Sequence, residues 1–577
     1  FVMEFFLVIS LAILFSNVFG NDPLSDDCAL RAFAVEMAGY IAPANVKSNW
    51  TELSRSALQM NQCNRSISDS QQQSSTDSKN EKTKTNCYST VYVHDLEGND
   101  LFDGTFEKPV KTIQTALSLT RMRRIKYDDK HTLCIIIRGG TYYLGTNATI
   151  FSSQIGAIAL TTNDSNLVIE NYPNERVVLS GGTLLDLQWS IHSRTSTNRT
   201  IMKAQIPLSV DLDQFNELYI DDRRAIVAKY PNGDPSTHGL YTNDSGFSND
   251  SNSWIRSFSS PGAEIHVLSP NRSGTKFPNY HLIVGGSASI YNPPRSFWPG
   301  YGIPRGFTVK DGALPHMTNW THPQTGYVHA FHGGFWSNWV FQIASSNSTN
   351  NTIMFSRGGF QEARGWPYGG PFYVSNIFEE LDSPNEWFLD KLTRTLYFMP
   401  NDTMPNVFVA SQLSCLISIS GSSIENPVRN ILIDGLIFTQ TSNTYLKDFM
   451  VPSGGDWSVH RGGTIYLTNT ENITVTNNLF TQLGSNGIAV IDYNYATSIT
   501  LNEFVWLADS GVILVGSTDG IDGFSVTSQP NRILIQSNIF HELGIYIKQS
   551  SPVLISVSRS VSVIGNLMFN MPRAAIN

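Results

Sequence analysis

Charge is scarce in this chain. Asp, Glu, Lys and Arg make up 15% of its 577 residues, against a norm of about 25%. The polar surface therefore falls to Asn, Ser, Thr, Gln and Gly, residues that build tight turns and line sugar-binding grooves. Basic patches are lacking as well. The net charge is −9, and no Lys/Arg cluster interleaved with aromatics occurs, so nucleic acid is not an expected partner. The run Arg121 to Lys126 reads as the solvated face of a helix. Cysteine is sparse too. Cys28, Cys63, Cys87, Cys134 and Cys415 lack metal-ligand spacing, and the plain expectation is one or two disulfides clipping the N-terminal segment.

Long apolar runs are absent beyond the first twenty residues, so no membrane span is expected there. Phe5 to Phe19 has the length of a secretory signal core and is followed by Gly20 and Asn21. A retained signal anchor is the alternative. Asn-X-Ser/Thr sequons recur from Asn49 to Asn472, which fits a secreted, glycosylated chain.

What the chain does have is a repeated phrase. It reads Asn472 to Phe480, Ile499 to Phe504, Ile533 to Phe540 and Val561 to Phe569, with an earlier copy at Ile431 to Phe438. Each copy is a β-branched strand that turns at Asn, Asp or Gly and lands on a Phe. A second strand follows at Gly487 to Ile491, Gly511 to Val515, Gly544 to Ile547 and Ala575-Ile576. A strand-only repeat of roughly 20–50 residues marks a stacked solenoid. The aromatics Phe438, Phe480, Phe504, Phe540 and Phe569 are expected to stack in its core.

The expected organisation follows from where that pattern starts and stops. Residues 1–20 read as a signal peptide and 21–87 as a polar lead-in, with a helix around Ala29 to Ile41 and a linker from Asn64 to Lys84. Residues 88–233 read as N-terminal coils. Within them, Val110, Ile113, Ala116 and Leu117 give an amphipathic helix that covers the open end. Residues 234–385 lose the period, gather tryptophans, and read as a β-rich insertion. Residues 386–577 read as coils again, resuming at Trp387 to Asp390 and Thr395 to Phe398. The chain stops in mid-coil, so further coils are expected beyond it.

Gly104 to Leu117, Ile137 to Leu144 and Val178 to Gly182 resemble the opening coils of pectin-lyase-like proteins. More specifically, Leu218 to Pro231 and Asn376 to Asp390 resemble β-helix proteins related to glycoside hydrolase family 141. The likeness covers roughly residues 90 to 577. It implies an all-β, right-handed parallel β-helix (solenoid) with an N-terminal capping helix and an inserted β-rich domain. It also implies action on plant-type polysaccharides.

Aligning the second strands puts Ser485, Asp509, Glu542 and Arg573 in one column. Rungs of a parallel ladder lie about 4.8 Å apart, so Asp509 and Glu542 would be neighbours. Two close carboxylates separate in pKa, which supplies the acid and the ionised partner of glycoside hydrolysis. Arg573 and Lys548 are candidates to bind substrate or hold a carboxylate ionised. Asp492, His541 and Trp506 are further candidate contacts, Trp506 by stacking on a sugar ring. In the insertion, His329, His332, Trp336 and Trp339 are candidates to line one end of a cleft. Corner carboxylates also serve simply to bond turn amides, and His541 suits a structural bond.

Three functions fit. The first is a secreted glycoside hydrolase without cofactor, probing polysaccharide or glycan as a monomer with Asp509 and Glu542. The second is a polysaccharide lyase that binds Ca²⁺ through those carboxylates and uses Lys548 or Arg573 as base; Asp519 and Asp522 could also bind Ca²⁺. The third is a non-catalytic extracellular carbohydrate-binding protein. Expression in a secretory host tests what all three share: the product is expected in the medium and to lose mass on enzymatic deglycosylation. An unglycosylated product retained in the cell contradicts it.

Overall fold

The short β-branched phrases form strands, and each pairs in parallel with its copy one coil away. The computed structural model describes residues 87–577 except 128–130, 147, 196–197, 235–305, 310–311, 333–337, 362–368, 451–457 and 518–527. The expected signal peptide, lead-in and linker lie outside the described residues. So do Cys28, Cys63, Trp336, Asp519 and Asp522. The protein is mostly β, with several parallel sheets and few helices. Among the described residues, no helix is long and apolar enough to cross a membrane.

Three sheets are traversed in turn. The first runs from Ser89–Val93 through Leu133–Ile137, Leu167–Asn171, Val428–Asp434, Thr470–Thr476 and Ser498–Thr500 to Pro530–Gln536 and Arg559–Ile564. The second includes Val177–Ser180, Ile437–Thr439, Leu479–Leu483, Glu503–Leu507, Ile539–Leu543 and Leu567–Met568. The third includes Ile158–Leu160, Ile417–Ser420, Ile465–Thr468, Ile488–Ile491, Val512–Val515 and Val553–Ser556. Inward residues of all three form one continuous apolar core.

The turn between the first two sheets explains the repeated Asn. Asn478, Asn502 and Asn538 each donate a backbone N–H and a side-chain N–H to the Oδ1 of the next asparagine, at 2.9–3.0 Å, ending on Asn566. Their free amide hydrogens bond strand carbonyls such as Val475 and Ile499. Buried polar groups are thus satisfied, as burial requires. Two residues on, Phe438, Phe480, Phe504 and Phe540 stack with centroids 4.6–4.8 Å apart, which matches the strand spacing. In the last coil the asparagine register puts Met568, not Phe569, in that column. Phe569 instead stacks on His541 at 4.9 Å. The strand-opening glycines have a related cause. A Cβ on Gly487 would lie 2.8 Å from the Phe504 ring, and one on Gly511 2.7 Å from the Phe540 ring.

The expected N-terminal helix, here α1, runs Ile113–Tyr127. It buries Ile113, Ala116 and Leu117 with Val110 in the same core as the first strands. Its arginines are not merely solvated. Arg121 pairs with buried Asp164 at 2.7 Å, and Arg123 donates to the Thr90 and Asp103 carbonyls. Cys87 and Cys134 form a disulfide, while Cys415 is buried as a thiol.

The interruption of the coils is longer than the 234–385 read from the period. One coil leaves the second sheet after Ser180 and rejoins the third at Ile417. Trp387 to Asp390 and Thr395 to Phe398 are not coils: they pair antiparallel across a short turn. Parallel pairing needs a crossover of a dozen residues or more, which four turn residues cannot supply. Within the excursion, Glu386–Asp390 and Thr395–Phe398 join Thr200–Gln205 and Ser190–Arg194. A further six-stranded, mainly antiparallel sheet includes Tyr327–His332, Asn338–Asn347, Thr352–Gly358 and Gly369–Ser375. The register predicts that Asn502→Ala, which strips the Asn478 backbone of its acceptor, destabilises by about 2–4 kcal/mol. Leu392→Ser, at a 93% exposed position, is expected to change stability by less than about 0.5 kcal/mol. Urea unfolding of both variants checks the contrast.

Candidate functional site

The excursion returns to the coils at one corner, where the chain leaves the second sheet. Tyr219 Oη donates to the Thr441 carbonyl at 2.6 Å. Asn443 bonds both the Asn216 backbone and the Glu217 carboxylate, the latter at 2.9 Å. Arg224 donates to the Leu483 carbonyl at 2.8 Å, and its guanidinium faces the Tyr546 ring. These bonds hold Glu217 against the corner with 1% of its surface exposed. Arg224 Nε lies 3.3 Å from Glu217 Oε2, and Tyr546 Oη donates to the same oxygen at 3.3 Å. Burial pushes the Glu217 carboxyl up despite the opposing pull of Arg224, Asn443 and Tyr546.

Beside Glu217 opens a pocket walled by Phe215, Tyr327, His329, Tyr373, Trp387, Tyr445 and Tyr546, with Lys229 and Lys391 also lining it. Its cavity volume is about 40 Å³. His329 stacks on Tyr373 at 4.5 Å and meets Tyr445 edge-on at 5.3 Å. Burial lowers its pKa to about 3, so the imidazole is neutral at ordinary pH. Its Nδ1 has no hydrogen-bond partner among the described residues. Lys229 donates to the Pro231 carbonyl at 2.8 Å and lies over the Tyr373 ring. Burial brings it down to about 7, against the pull of Glu386.

The residues singled out from sequence are divided. Counting back from the paired third strands puts Ser485, Asp509, Ser550 and Arg573 in register. Glu542 instead aligns with Trp506 in the second sheet. The reason is local. Gly544 to Ile547 is a loop rather than a strand, and the third strand of that coil starts only at Val553. That loop carries Tyr546 onto Glu217. Asp509 and Glu542 are still close along the chain path, since Gly544 N–H donates to the Asp509 carbonyl at 3.3 Å.

Asp509 is 3% exposed, and its Oδ2 lacks a partner among the described residues. Burial pushes it up to about 7, with Ser510 hydrogen bonds pulling the other way. Glu542 accepts from Asn570 at 2.9 Å and bonds His541 Nδ1. His541 Nε2 in turn faces Glu503 Oε1 at 2.8 Å. Each ring nitrogen thus meets a carboxylate. Lys548 is 2% exposed and donates to the Gly544 and Ile545 carbonyls; burial lowers it to about 7. Asp492 pairs with Arg461 at 2.6 Å and accepts from Ser517. Trp506 packs against the cluster that holds Tyr445 and Tyr546. Trp339 is core, whereas His329 does line the pocket.

Glu217 escaped sequence reading, although the block Leu218 to Pro231 that carries the family likeness begins one residue after it and contains Arg224 and Lys229. Among the described residues, His316, Glu380 and Asp382 have ligand atoms within 4.8 Å of one another and could hold a metal ion. Glu380 is already bonded to His316 and to Trp320 Nε1, and Asp382 to Asn232.

Neither the family models nor the curated proteins compared with the chain gave a match. A solved structure described as "Glycoside hydrolase" aligns with a TM-score of 0.53 at 17% identity, over 81% of this chain and 77% of that one. Another, "The complex structure of XylC with xylose", aligns with a TM-score of 0.34 at 10% identity, over 83% of this chain and 58% of that one. The first likeness is one of fold; the second carries no argument.

The Asp509 environment makes a signed prediction. In the unfolded chain its proton leaves near 3.8, while the folded chain keeps it to about 7. The folded state binds more protons between those values, so stability falls as pH rises through that window. The difference is worth at most about 4 kcal/mol. Asp509→Asn is expected to flatten the slope between pH 4 and 7 in urea unfolding; an unchanged slope contradicts the burial account.

Proposed function

We propose that this chain is a secreted, carbohydrate-active protein, a right-handed parallel β-helix glycoside hydrolase related to the family 141 enzymes. The observation that carries the reading is the Glu217 carboxyl. It is buried and raised in pKa, Arg224, Asn443 and Tyr546 hold it in place, and its residue lines an aromatic pocket. Glycoside hydrolysis needs one carboxyl kept protonated to donate to the leaving oxygen. Burial moves Glu217 in that direction. Tyrosine and tryptophan faces suit the apolar faces of a sugar ring, and their hydroxyls suit its edges. The fold likeness to a structure described as a glycoside hydrolase supports the same reading.

The second carboxylate is drawn from the adjoining corner. Glu542 accepts from Asn570 and bonds His541, whereas burial keeps Asp509 protonated to about 7. The pairing of roles in this reading is Glu217 as acid with Glu542 as the carboxylate partner.

Turnover on a polysaccharide panel tests this. Glu217→Gln is expected to lower turnover by about 10²–10⁴-fold, with its thermal midpoint preserved. Glu542→Gln is expected to lose as much, and new reducing ends should accompany every cleavage. Products absorbing in the ultraviolet would point to elimination, and binding without product to a non-catalytic role. Unchanged rates in Glu217→Gln overturn the assignment.

A further inference from the structure

The turn that leads into the strand Glu386–Asp390 concentrates acid in a chain that is otherwise poor in charge. Glu379, Glu380, Asp382 and Glu386 fall within eight residues that include no Lys or Arg. Among the described residues, their ion pairing is confined to His316 on Glu380. Glu380 and Glu386 are each 1% exposed. Carboxylates gathered and buried in this way are costly without a compensating cation.

The donor atoms converge. His316, Glu380 and Asp382 offer ligand atoms that all lie within 4.8 Å of one another. Two ligands of one tetrahedral ion, each about 2.0–2.2 Å from it, stand about 3.4 Å apart, so side-chain shifts of about 1 Å close the set. Glu380 is the fixed member. Trp320 Nε1 donates to its Oε1 at 2.6 Å, which leaves Oε2 facing His316 Nδ1 at 2.8 Å. His316 and Asp382 are only partly buried and free to adjust. Asn232 Nδ2 donates to Asp382 Oδ1 at 2.9 Å, and the other Asp382 oxygen has no hydrogen bond among the described residues. Each carboxylate is thus oriented through one oxygen with the second available, the usual support of a metal ligand.

An independent sign comes from two buried oxygens beside this set. Asn232 Oδ1 belongs to the amide that bonds Asp382, and it lacks a partner among the described residues. Glu386 accepts the backbone N–H groups of Asp382 and Ser383 on Oε2, while its Oε1 also lacks a partner. A buried acceptor without a donor is destabilising. One cation offsets several such oxygens at once.

The donor types select the ion. Ca²⁺ takes about six to eight oxygens, more than this set supplies, and an imidazole nitrogen suits Zn²⁺ better than Ca²⁺ or Mg²⁺. One histidine and two carboxylates make three ligands of a tetrahedral Zn²⁺ site.

We propose that His316, Glu380 and Asp382 form a structural Zn²⁺ site, with Asn232 Oδ1 or water in the fourth position. The ion ties the short turn Met317–Asn319 to the turn Phe378–Glu380. The latter feeds the strand that carries Trp387 and Leu389 into the pocket wall. The site therefore steadies one side of the pocket. It does not depend on the carbohydrate reading, and the two stand or fall separately.

Calorimetric titration tests it on the intact protein, stripped with a chelator, dialysed, and titrated with Zn²⁺, Ca²⁺ or Mg²⁺. Zn²⁺ is expected to bind with a Kd of about 1 μM or tighter, and the other two ions at least about 100-fold more weakly. Saturating Zn²⁺ is expected to raise the thermal midpoint. His316→Ala and Asp382→Asn are each expected to weaken Zn²⁺ binding by at least about tenfold and to abolish the midpoint shift. Asp382→Asn keeps the side-chain size and an acceptor for Asn232, so it carries the test if His316→Ala folds poorly. His322→Ala removes an exposed histidine outside the set and is expected to change nothing. Absence of tight Zn²⁺ binding, or preference for Ca²⁺, overturns the proposal. Zn²⁺ binding that both ligand variants leave unchanged places the ion elsewhere and overturns it as well.

Discussion

Asparagine side chains that hydrogen-bond to the backbone of the next coil set the register on which the rest of this structure depends. Each buried Asn accepts from the backbone and the side chain of its neighbour while donating to strand carbonyls, so the turn amides of Asn478, Asn502 and Asn538 are paired. A slip by one residue would break every bond of the row at once. With the row in place, phenylalanines two residues on are held at the strand spacing, and their rings close over the glycines of the preceding coil. Aromatic stacking of this kind adds about 0.5–1.5 kcal/mol per pair beyond burial. Its larger effect is to make one alignment of coils far better than its alternatives.

That fixed register makes departures from it meaningful. The coil interrupted after Ser180 spends more than two hundred residues outside the sheets, yet returns in phase at Ile417. It can do so because its sheets are bonded back to the corner it left, through Tyr219, Asn443 and Arg224. Burying Glu217 and Arg224 together is costly in desolvation. The cost is offset because both are bonded on several sides and lie at 3.3 Å from each other. A second departure, the loop from Gly544 to Pro552, delivers Tyr546 to the same point. Two irregularities in an otherwise regular protein thus converge on one carboxyl.

Much of the fold was legible because the repeat is chemically strict. Asn at the turn, β-branched residues before it and an apolar residue two places after it leave few other structures open. The last copy shows the limit. Phe569 looked like the landing residue, but the asparagine ladder counts two from Asn566 and selects Met568. The excursion was read too short because Trp387 to Asp390 and Thr395 to Phe398 have strand composition, which does not distinguish a hairpin from a coil. The column of Asp509 and Glu542 failed for a similar reason. Gly544 to Ile547 has the composition of a strand opening, yet the chain loops there, and counting back from a loop moves Glu542 into a different row. Glu217 was invisible because, apart from nearby Arg224, the groups that hold it, Asn443 and Tyr546, lie 226 and 329 residues away in sequence, and such contacts leave no local pattern.

Diffraction from crystals soaked with the sugar that binds best is the most direct test of where carbohydrate is recognised. The account predicts one sugar ring against Tyr373, Tyr445 and Tyr546, with the glycosidic oxygen facing Glu217. Sugar bound only along an outer sheet face, with this pocket empty, would contradict it.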